Sequence, residues 1–241
     1  SASSPTANWN KLVVKFLHME GYDSSVIKMS GGSKDLLARH IFGDSQAQQT
    51  KDKTDFSVGI GLYGNSKDVM IRQATLLNHQ QLRRASNKYW NGDSVSSENS
   101  TSNVTIMETI GAGNTDSAFD TKTVGINYIR TTAIDNKRNY RVWRESHFDQ
   151  IYSIEPVNHG GTGGRTHLGS YDPDQPYRKL YLTNGIFVDQ YSNPNIFEMN
   201  APTDFYISDT KVYSEDKSEA ESETLGESSI HIGDNVQFLD R

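Results

Sequence analysis

The sequence contains no cysteine among its 241 residues. This absence excludes disulfide bonds and thiolate metal sites. No run of about 18 apolar residues exists, so no segment is predicted to span a membrane as a helix. Apolar residues make up only 34% of the chain, which is below the usual 45–50% or so even with the glycines added. A chain with so little apolar surface is predicted to be a β-protein that shares its core between several copies.

An excess of positive charge is also missing. The net charge is −6, and the segment 213–227 holds six acids and one lysine, so the remaining residues are close to neutral. Broad electrostatic binding to nucleic acid needs a basic face and is therefore not expected. The acidic segment itself is predicted to be a solvated loop or linker.

Strand signals dominate what is present. In "FSVGIGL", Phe56, Val58, Ile60 and Leu62 alternate with small residues, which predicts a strand with one apolar face. Glycine weakens a strand unless another backbone approaches closely, so the bare face predicts contact with neighbouring chains. "NVTIMETI", "TVGINYI" and "DFYISDTKVY" are further predicted strands, and "KLVVKFLHM" is predicted to be buried on both faces. A weak internal sequence similarity links "GIGLY" to "GINYI", but two copies do not define a repeat.

Other patterns predict turns and helices. Asn184-Gly185 between two apolar runs predicts a β-hairpin in "RKLYLTNGIFV". "KDLLARHIF" and "ATLLNHQQLRRAS" are predicted to be short helices. The fold class is thus predicted as all-β with minor α. The predicted segments are 1–90, a β-rich bead with short helices; 91–154, a β-domain; 155–176, a hinge; and 177–241, a shaft or knob segment.

The stretch 155–176, "EPVNHGGTGGRTHLGSYDPDQP", allows several interpretations. A phosphate-binding loop would need a lysine and an opening helix after the glycines, and neither follows. His159 and His167 lie too far apart in sequence for the usual zinc pattern, so turn histidines are favoured. Asp172 and Asp174 could cleave a polysaccharide if a second carboxylate faced them across a cleft. We therefore expect no cofactor and no metal, and we keep polysaccharide cleavage as an alternative.

Two consecutive motifs resemble those of bacteriophage tail-fibre proteins, of the T4-like long tail-fibre type. Such chains carry a "YRVWHEGN"-like strand followed by a "PV-x-x-GGTG" turn. The first motif is matched by Tyr140, Arg141, Val142, Trp143 and Glu145, and the second by Pro156, Val157, Gly160, Gly161, Thr162 and Gly163. Arg144 and Ser146 depart from the usual His and Gly. The match covers about 30 of the 241 residues.

This resemblance implies an elongated, intertwined parallel homotrimer with small globular beads, located in the virion and extracellular. Its function would be structural and adhesive, without catalysis, linking the virion to the bacterial surface during host attachment. Its partners would be its own copies, adjacent fibre or baseplate subunits, and a receptor such as lipopolysaccharide or an outer-membrane protein. Gly160, Gly161, Thr162, Gly163 and Gly164 would form a crossover turn of the trimer.

The resemblance leaves the receptor contacts open. Tyr171, Tyr177 and Tyr191 are candidate aromatics for stacking on sugars, although packing in the trimer core or in turns is the favoured explanation for them. Trp143 is expected to be a core residue. Two alternatives to the fibre remain: a tailspike-like polysaccharide depolymerase, and a monomeric carbohydrate-binding β-domain.

Overall fold

The computed structural model describes residues 10–47, 57–81, 90–98, 100–160, 164–171, 177–190, 195–227 and 229–241. Its regular elements in these ranges are 22 β-strands and one α-helix, which confirms the predicted all-β class with minor helix. Within the described ranges, no helix is long and apolar enough to cross a membrane.

The first part of the chain contains β1 (Asn10–Glu20), β2 (Ser25–Met29), β3 (Lys34–Asp44), β4 (Val58–Leu62), β5 (Lys67–Leu77), β6 (Asp93–Ser97), β7 (Ser102–Met107), β8 (Ile110–Ala112), β9 (Ser117–Thr121), β10 (Ile126–Ile129), β11 (Thr132–Ile134) and β12 (Arg138–Val142). The second part contains β13 (Ser146–Asp149), β14 (Tyr152–Ile154), β15 (Thr166–Ser170), β16 (Arg178–Thr183), β17 (Ile186–Val188), β18 (Asn195–Met199), β19 (Thr203–Ser208), β20 (Lys211–Ser214), α1 (Lys217–Gly226), β21 (Ile230–Ile232) and β22 (Gln237–Asp240).

The strands form a parallel β-solenoid, because strands that are neighbours in the two sheets belong to successive coils and pair in parallel. We name three faces. The first face contains β7, β10, β13, β16, β19 and β21, with the first halves of β1, β3 and β5. The second face contains β8, β11, β14, β17, β20 and β22, with the second halves of the same three strands. The third face contains β2, β4, β6, β9, β12, β15 and β18.

A single residue with positive φ turns the chain from the first face to the second in every coil. These bend residues are Phe16, His40, Gln73, Glu108, Arg130, Gln150, Asn184, Asp209 and Asn235, with φ between 48 and 58°. A left-handed residue other than glycine costs about 1–2 kcal/mol. The pairing between coils continues through the bend, for example from the Arg130 N–H to the Asp149 carbonyl at 2.9 Å. These hydrogen bonds offset the cost of the bend.

The hydrophobic core lies inside the coils of one chain. One cluster of buried side chains extends from Ile27 in β2 to Ala220 in α1 and passes through all four predicted segments. Its centre is aromatic: Phe119, Tyr128, Tyr140 and Phe148 pack with ring centroids 4.8–5.8 Å apart. The expectation that the core must be shared between chains is therefore wrong for the described residues. The homotrimer and the segment boundaries stay predictions.

Both predicted helices are wrong where the chain is described, because "KDLLARHIF" lies in β3 and the start of "ATLLNHQQLRRAS" ends β5. The bend explains the misleading pattern. In β3 the buried residues are Leu36 and Ala38 before the bend at His40, and Ile41 and Gly43 after it. Buried residues alternate with a period of two along a strand, but at the bend the spacing becomes three. The resulting mixture of spacings resembles that of a helix. Conversely, the acidic segment predicted as a loop contains α1, which Asp216 caps by accepting from the Glu219 N–H at 3.0 Å.

The predicted hairpin at Asn184-Gly185 is also wrong. A two-residue hairpin of type I′ needs positive φ at both central residues, and only Asn184 has it. The chain therefore bends from β16 on the first face to β17 on the second, and neither strand pairs with the other.

The glycines of "GIGL" do permit close approach, but the neighbours belong to the same chain. A Cβ atom on Gly61 would lie 2.5 Å from the ring of Tyr63, and one on Gly59 would lie 2.5 Å from the Ser94 carbonyl oxygen. The strand β1 is present as predicted, yet it is not buried on both faces, because Val13 and Phe16 are 54% and 77% exposed. Phe56 lies outside the described residues.

Candidate functional site on the third face

Three buried aspartates lie close together on the third face. Asp93 begins β6, Asp116 directly precedes β9, and Asp120 lies within β9. One carboxylate oxygen of each lies within 4.8 Å of those of the other two. Carboxylates at this spacing can hold a metal ion, and they repel one another unless positive charge balances them.

Two arginines of β12 supply that balance. Arg138 Nη1 lies 2.7 Å from Asp116 Oδ1, and Arg141 Nη1 lies 2.9 Å from Asp116 Oδ2 and 3.2 Å from Asp120 Oδ2. The parallel register places these partners side by side, since Arg141 pairs with Asp120 in the neighbouring coil. A cation at the aspartates would have to compete with both guanidinium groups.

Burial raises the pKa of two of the three carboxyl groups. The pKa of Asp93 is raised well above its usual value, first by burial and then by the charges of Asp120 and Asp116. The pKa of Asp120 is also raised, chiefly by burial, although Arg141 acts in the opposite direction. Asp93 accepts a single backbone hydrogen bond from the Ser117 N–H at 3.0 Å. The cluster thus favours a protonated carboxyl beside an arginine-bound carboxylate.

Cations and aromatic rings alternate along the outside of this face. The five cation–π contacts of the described residues are Lys28 with Tyr63 at 5.6 Å, Lys122 with Trp143 at 5.2 Å, Arg138 with Tyr171 at 5.4 Å, and Arg141 with Trp143 at 4.8 Å and with Tyr171 at 5.1 Å. All of them lie on the third face or at its edge. The face is therefore built to hold rings and positive charges in fixed positions.

Glycines make room for two of these rings, those of Tyr63 and Tyr171. A Cβ atom on Gly169 would lie 2.7 Å from the ring of Tyr171, just as one on Gly61 would meet Tyr63. Each tyrosine thus folds back over a bare stretch of its own strand. The Tyr171 hydroxyl donates to Glu198 at 2.6 Å and accepts from Arg138 Nε at 3.1 Å. Burial raises the pKa of Tyr63 to about 12.

The structure brings together only some of the residues predicted from sequence. Arg141, Trp143 and Tyr171 meet on the third face, where the Trp143 Nε1 donates to Asp120 Oδ1 at 2.6 Å. Trp143 is half-buried there, so its expected place in the core is wrong. Tyr140 and Val142 lie on the same strand but are fully buried in the core.

The remaining predicted residues lie elsewhere. Gly160, with φ of 126°, and Gly164 belong to the connection between β14 and β15 within one coil. Tyr177 precedes β16 and is 56% exposed. Gly161, Thr162, Gly163, Asp172, Asp174 and Tyr191 lie outside the described residues, so the trimer crossover stays a prediction.

The two histidines of the glycine-rich stretch have separate partners. His159 Nε2 lies 2.8 Å from the Asp135 carbonyl oxygen, in the connection after β14. His167 lies in β15, fully buried, with its Nδ1 2.8 Å from the Ser153 hydroxyl. The interpretation of His167 as a turn residue is therefore wrong.

Sequence reasoning missed Asp93, Asp116, Asp120 and Arg138. Asp120 and Arg141 are neighbours because they are 21 residues apart, which is the length of one coil at this point. Ser117 and Arg138 have the same separation. An alignment of the sequence with itself at an offset of 21 residues pairs Arg141 with Asp120. Such an alignment could have predicted that the arginines lie next to the acidic residues.

Comparisons with known proteins give no further guide, since no family model, curated protein or solved structure matches this chain. The function must be argued from the geometry of its faces. On the third face the three aspartates are buried, while four neighbouring side chains are partly exposed: Lys122, Arg141, Trp143 and Tyr171.

Proposed function

We propose that this chain is a structural and adhesive segment of a phage tail fibre, whose third face binds a polysaccharide of the bacterial surface during host attachment. The row of cation–π contacts on this face is the observation that carries the proposal. The phage context rests on the resemblance of the two motifs, and the first of these contributes Arg141 and Trp143 to that row.

The chemistry of this row suits a sugar polymer. A saccharide presents apolar C–H faces, which pack on aromatic rings, and hydroxyl or acidic groups, which hydrogen-bond to guanidinium and ammonium groups. Rings fixed by the backbone lose little conformational entropy on binding. The buried ion pairs hold Arg138 and Arg141 in place beneath the rings, so the surface is formed before the ligand arrives.

A binding assay with matched variants tests this site. Surface plasmon resonance on immobilised lipopolysaccharide and capsular polysaccharide from a panel of bacteria would identify a ligand. Trp143→Ala should weaken binding about tenfold or more, because the sugar loses an aromatic face to pack on, and burying a large apolar side chain is worth about 1.5–3 kcal/mol. Tyr152→Ala, on the second face and 44% exposed, serves as the control. Equal affinities for the wild-type protein and Trp143→Ala would refute the proposed site.

Assembly is a separate part of the proposal. We propose that the fibre segment is a homotrimer that joins adjacent fibre or baseplate subunits. Since each chain has its own core, the contacts between copies would lie on the outside of the solenoids. Sedimentation equilibrium gives the mass directly, and a monomer at micromolar concentration would favour the alternative of a monomeric carbohydrate-binding β-domain.

A second candidate function is polysaccharide cleavage at the same face, in the manner of a tailspike depolymerase. A retaining glycosidase pairs a protonated carboxyl with an ionised carboxylate about 5–5.5 Å away. The raised pKa of Asp93 beside the arginine-bound Asp116 fits this division of roles. In addition, the buried Oγ of Ser117 and Nε of Arg141 have no hydrogen-bond partner among the described residues.

A reducing-end assay on the polysaccharide that binds best separates the two candidates. If the chain is an enzyme, Asp93→Asn, which removes the protonated carboxyl, should abolish cleavage and retain binding. Asp209→Asn is the matched control, because Asp209 lies at a bend of the first and second faces, away from the aspartate cluster. Absence of new reducing ends would leave adhesion as the function of the face.

A further inference from the structure

A groove runs along the first face, apart from the third-face site. It has a volume of about 580 Å³ and crosses β10, β13, β16, β19 and β21. Its two walls are formed by side chains on either side of a row of apolar residues, one from each strand, which are buried in β10, β13, β16 and β19 and exposed in β21. Because adjacent coils lie about 4.8 Å apart, the five strands give the groove a length of about 19 Å.

One wall is a ladder of stacked rings. The centroids are 4.9 Å apart for His147 and Tyr181, 5.4 Å for Tyr181 and Tyr206, and 4.7 Å for Tyr206 and His231. The planes deviate by only 10–15° from parallel. The register explains this, since these residues pair in succession along the first face.

The stacking determines what the ladder can offer to a ligand. Both faces of Tyr181 and Tyr206 are covered by neighbouring rings, so their edges and polar atoms remain for contact. The edge of an aromatic ring carries positive partial charge and attracts oxygen atoms. The His147 imidazole and the Tyr181 hydroxyl add hydrogen-bonding groups to this wall. The Tyr206 hydroxyl donates to Asp204 at 3.3 Å and can still accept, while His231 Nε2 lies 3.1 Å from Asp204.

The opposite wall is short and polar. Its polar part consists of Asp149, Thr183 and Ser208, which follow one another in the same register, and Ile129 and Gly233 complete the wall at its two ends. The Ser208 hydroxyl lies 3.4 Å from that of Thr183, and Asn184 donates to Asp149 at 3.0 Å. Small hydroxyl side chains facing a ring ladder leave an open trough with an oxygen or nitrogen atom at every coil.

The backbone contributes little to this groove. In a parallel solenoid the N–H and C=O groups point to the coils above and below and are already paired there. A peptide lying along the groove would leave its own regularly spaced amide groups without backbone partners, which costs free energy. An extended sugar chain has only hydroxyl and ring oxygens, which the side chains of both walls can satisfy.

We infer that this groove binds a linear, hydroxyl-rich polysaccharide lying along the axis of coil stacking. The site is distinct from the third face, and its occupation requires neither binding nor cleavage there. It would give the protein a second contact with the same polymer or with a different one.

A substitution that fills the trough tests the inference. The probes are cello-, chito- and manno-oligosaccharides of increasing length, measured by isothermal titration calorimetry. For at least one series the affinity should rise with length and level off once the groove is filled. Thr183→Trp should weaken that binding about tenfold or more. Lys211→Trp, at an exposed position on the second face, should leave it unchanged.

Additional variants make the outcome unambiguous. Tyr181→Phe keeps the ring ladder and removes one hydroxyl, so it should lose binding severalfold even if Thr183→Trp folds poorly. Trp143→Ala should bind the oligosaccharides like the wild type. Three results would overturn the inference: no series whose affinity depends on length, equal affinity of Thr183→Trp and Lys211→Trp, or loss of oligosaccharide binding in Trp143→Ala alone.

Discussion

Two imidazoles buried in the solenoid should make the fold sensitive to acid. His79 is fully buried, with Nδ1 2.9 Å from Asn114 Oδ1 and Nε2 2.5 Å from the Tyr22 hydroxyl. Burial lowers its pKa from 6.5 to about 4, although Asn114 acts in the opposite direction. Burial likewise lowers the pKa of His167 to about 3. Both side chains are therefore held neutral in the folded protein.

The sign of the pH dependence follows from these values. In the unfolded chain each histidine takes up a proton near pH 6.5, whereas in the fold it does so only near pH 4 or below. The free energy of unfolding is therefore unaffected by these two histidines above about pH 6.5, and it decreases as the pH falls below that value. At about pH 5 the unfolded state gains about 2 kcal/mol from each histidine, or about 4 kcal/mol for the pair.

Removing one imidazole isolates its share. Between about pH 8 and pH 5 the free energy of unfolding should fall by about 2 kcal/mol less in His167→Leu than in the wild-type protein. Urea unfolding followed by circular dichroism at both pH values gives the free energies. His18→Gln is the control, because the side chain of His18 is 65% exposed. The raised pKa values of Asp93 and Asp120 act in the opposite direction, since their stabilisation is lost as the pH rises. They are common to both proteins and cancel in the difference. An unchanged pH dependence in His167→Leu would refute the reasoning.

Three further predictions concern the third face and the bends. Asp116→Asn should destabilise the fold by about 3–5 kcal/mol, because it leaves Arg138 and Arg141 without their shared partner; thermal unfolding measures this. Gly169→Ala should cost about 1–3 kcal/mol and displace the Tyr171 ring, which tyrosine fluorescence would report. A bend residue already in the left-handed region should tolerate glycine, so Gln150→Gly should change the unfolding midpoint by less than a substitution to valine there does.

The sequence allowed the strands to be predicted more reliably than their arrangement. Alternation in "GIGL" and "INYI" predicted strands that the structure places in β4 and β10. The bend was not foreseen, although it leaves a signature. In the coil that starts at Val104, the inward residues are Val104, Ile106, Thr109 and Gly111, at spacings of two, three and two. Polar Thr and glycine at the last two positions hide this repeat from a search for apolar residues.

The candidate site was less accessible to sequence reasoning for a different physical reason. Its members come from four coils, and their proximity depends on coil lengths that vary along the chain. Arg141 follows Asp120 by 21 residues, whereas Gly169 follows Arg141 by 28, because the connection after β14 is longer. A fixed repeat length cannot align such coils. Only Arg141 in β12 and Trp143 directly after that strand could be singled out together.

The low apolar content now has an explanation that does not require shared cores. A solenoid buries a narrow column of side chains, and each coil needs only a few apolar residues because backbone pairing between coils satisfies the amide groups. Many interior positions are therefore polar and hydrogen-bonded, such as Asn114, Asn136 and Asn139, which bond to one another and to the backbone. Thus 34% apolar residues suffice for a core within one chain. Association into a trimer would use the outer faces, which also carry both proposed polysaccharide sites. Contact between copies and ligand binding would then compete for the same surfaces, unless the copies associate through the second face.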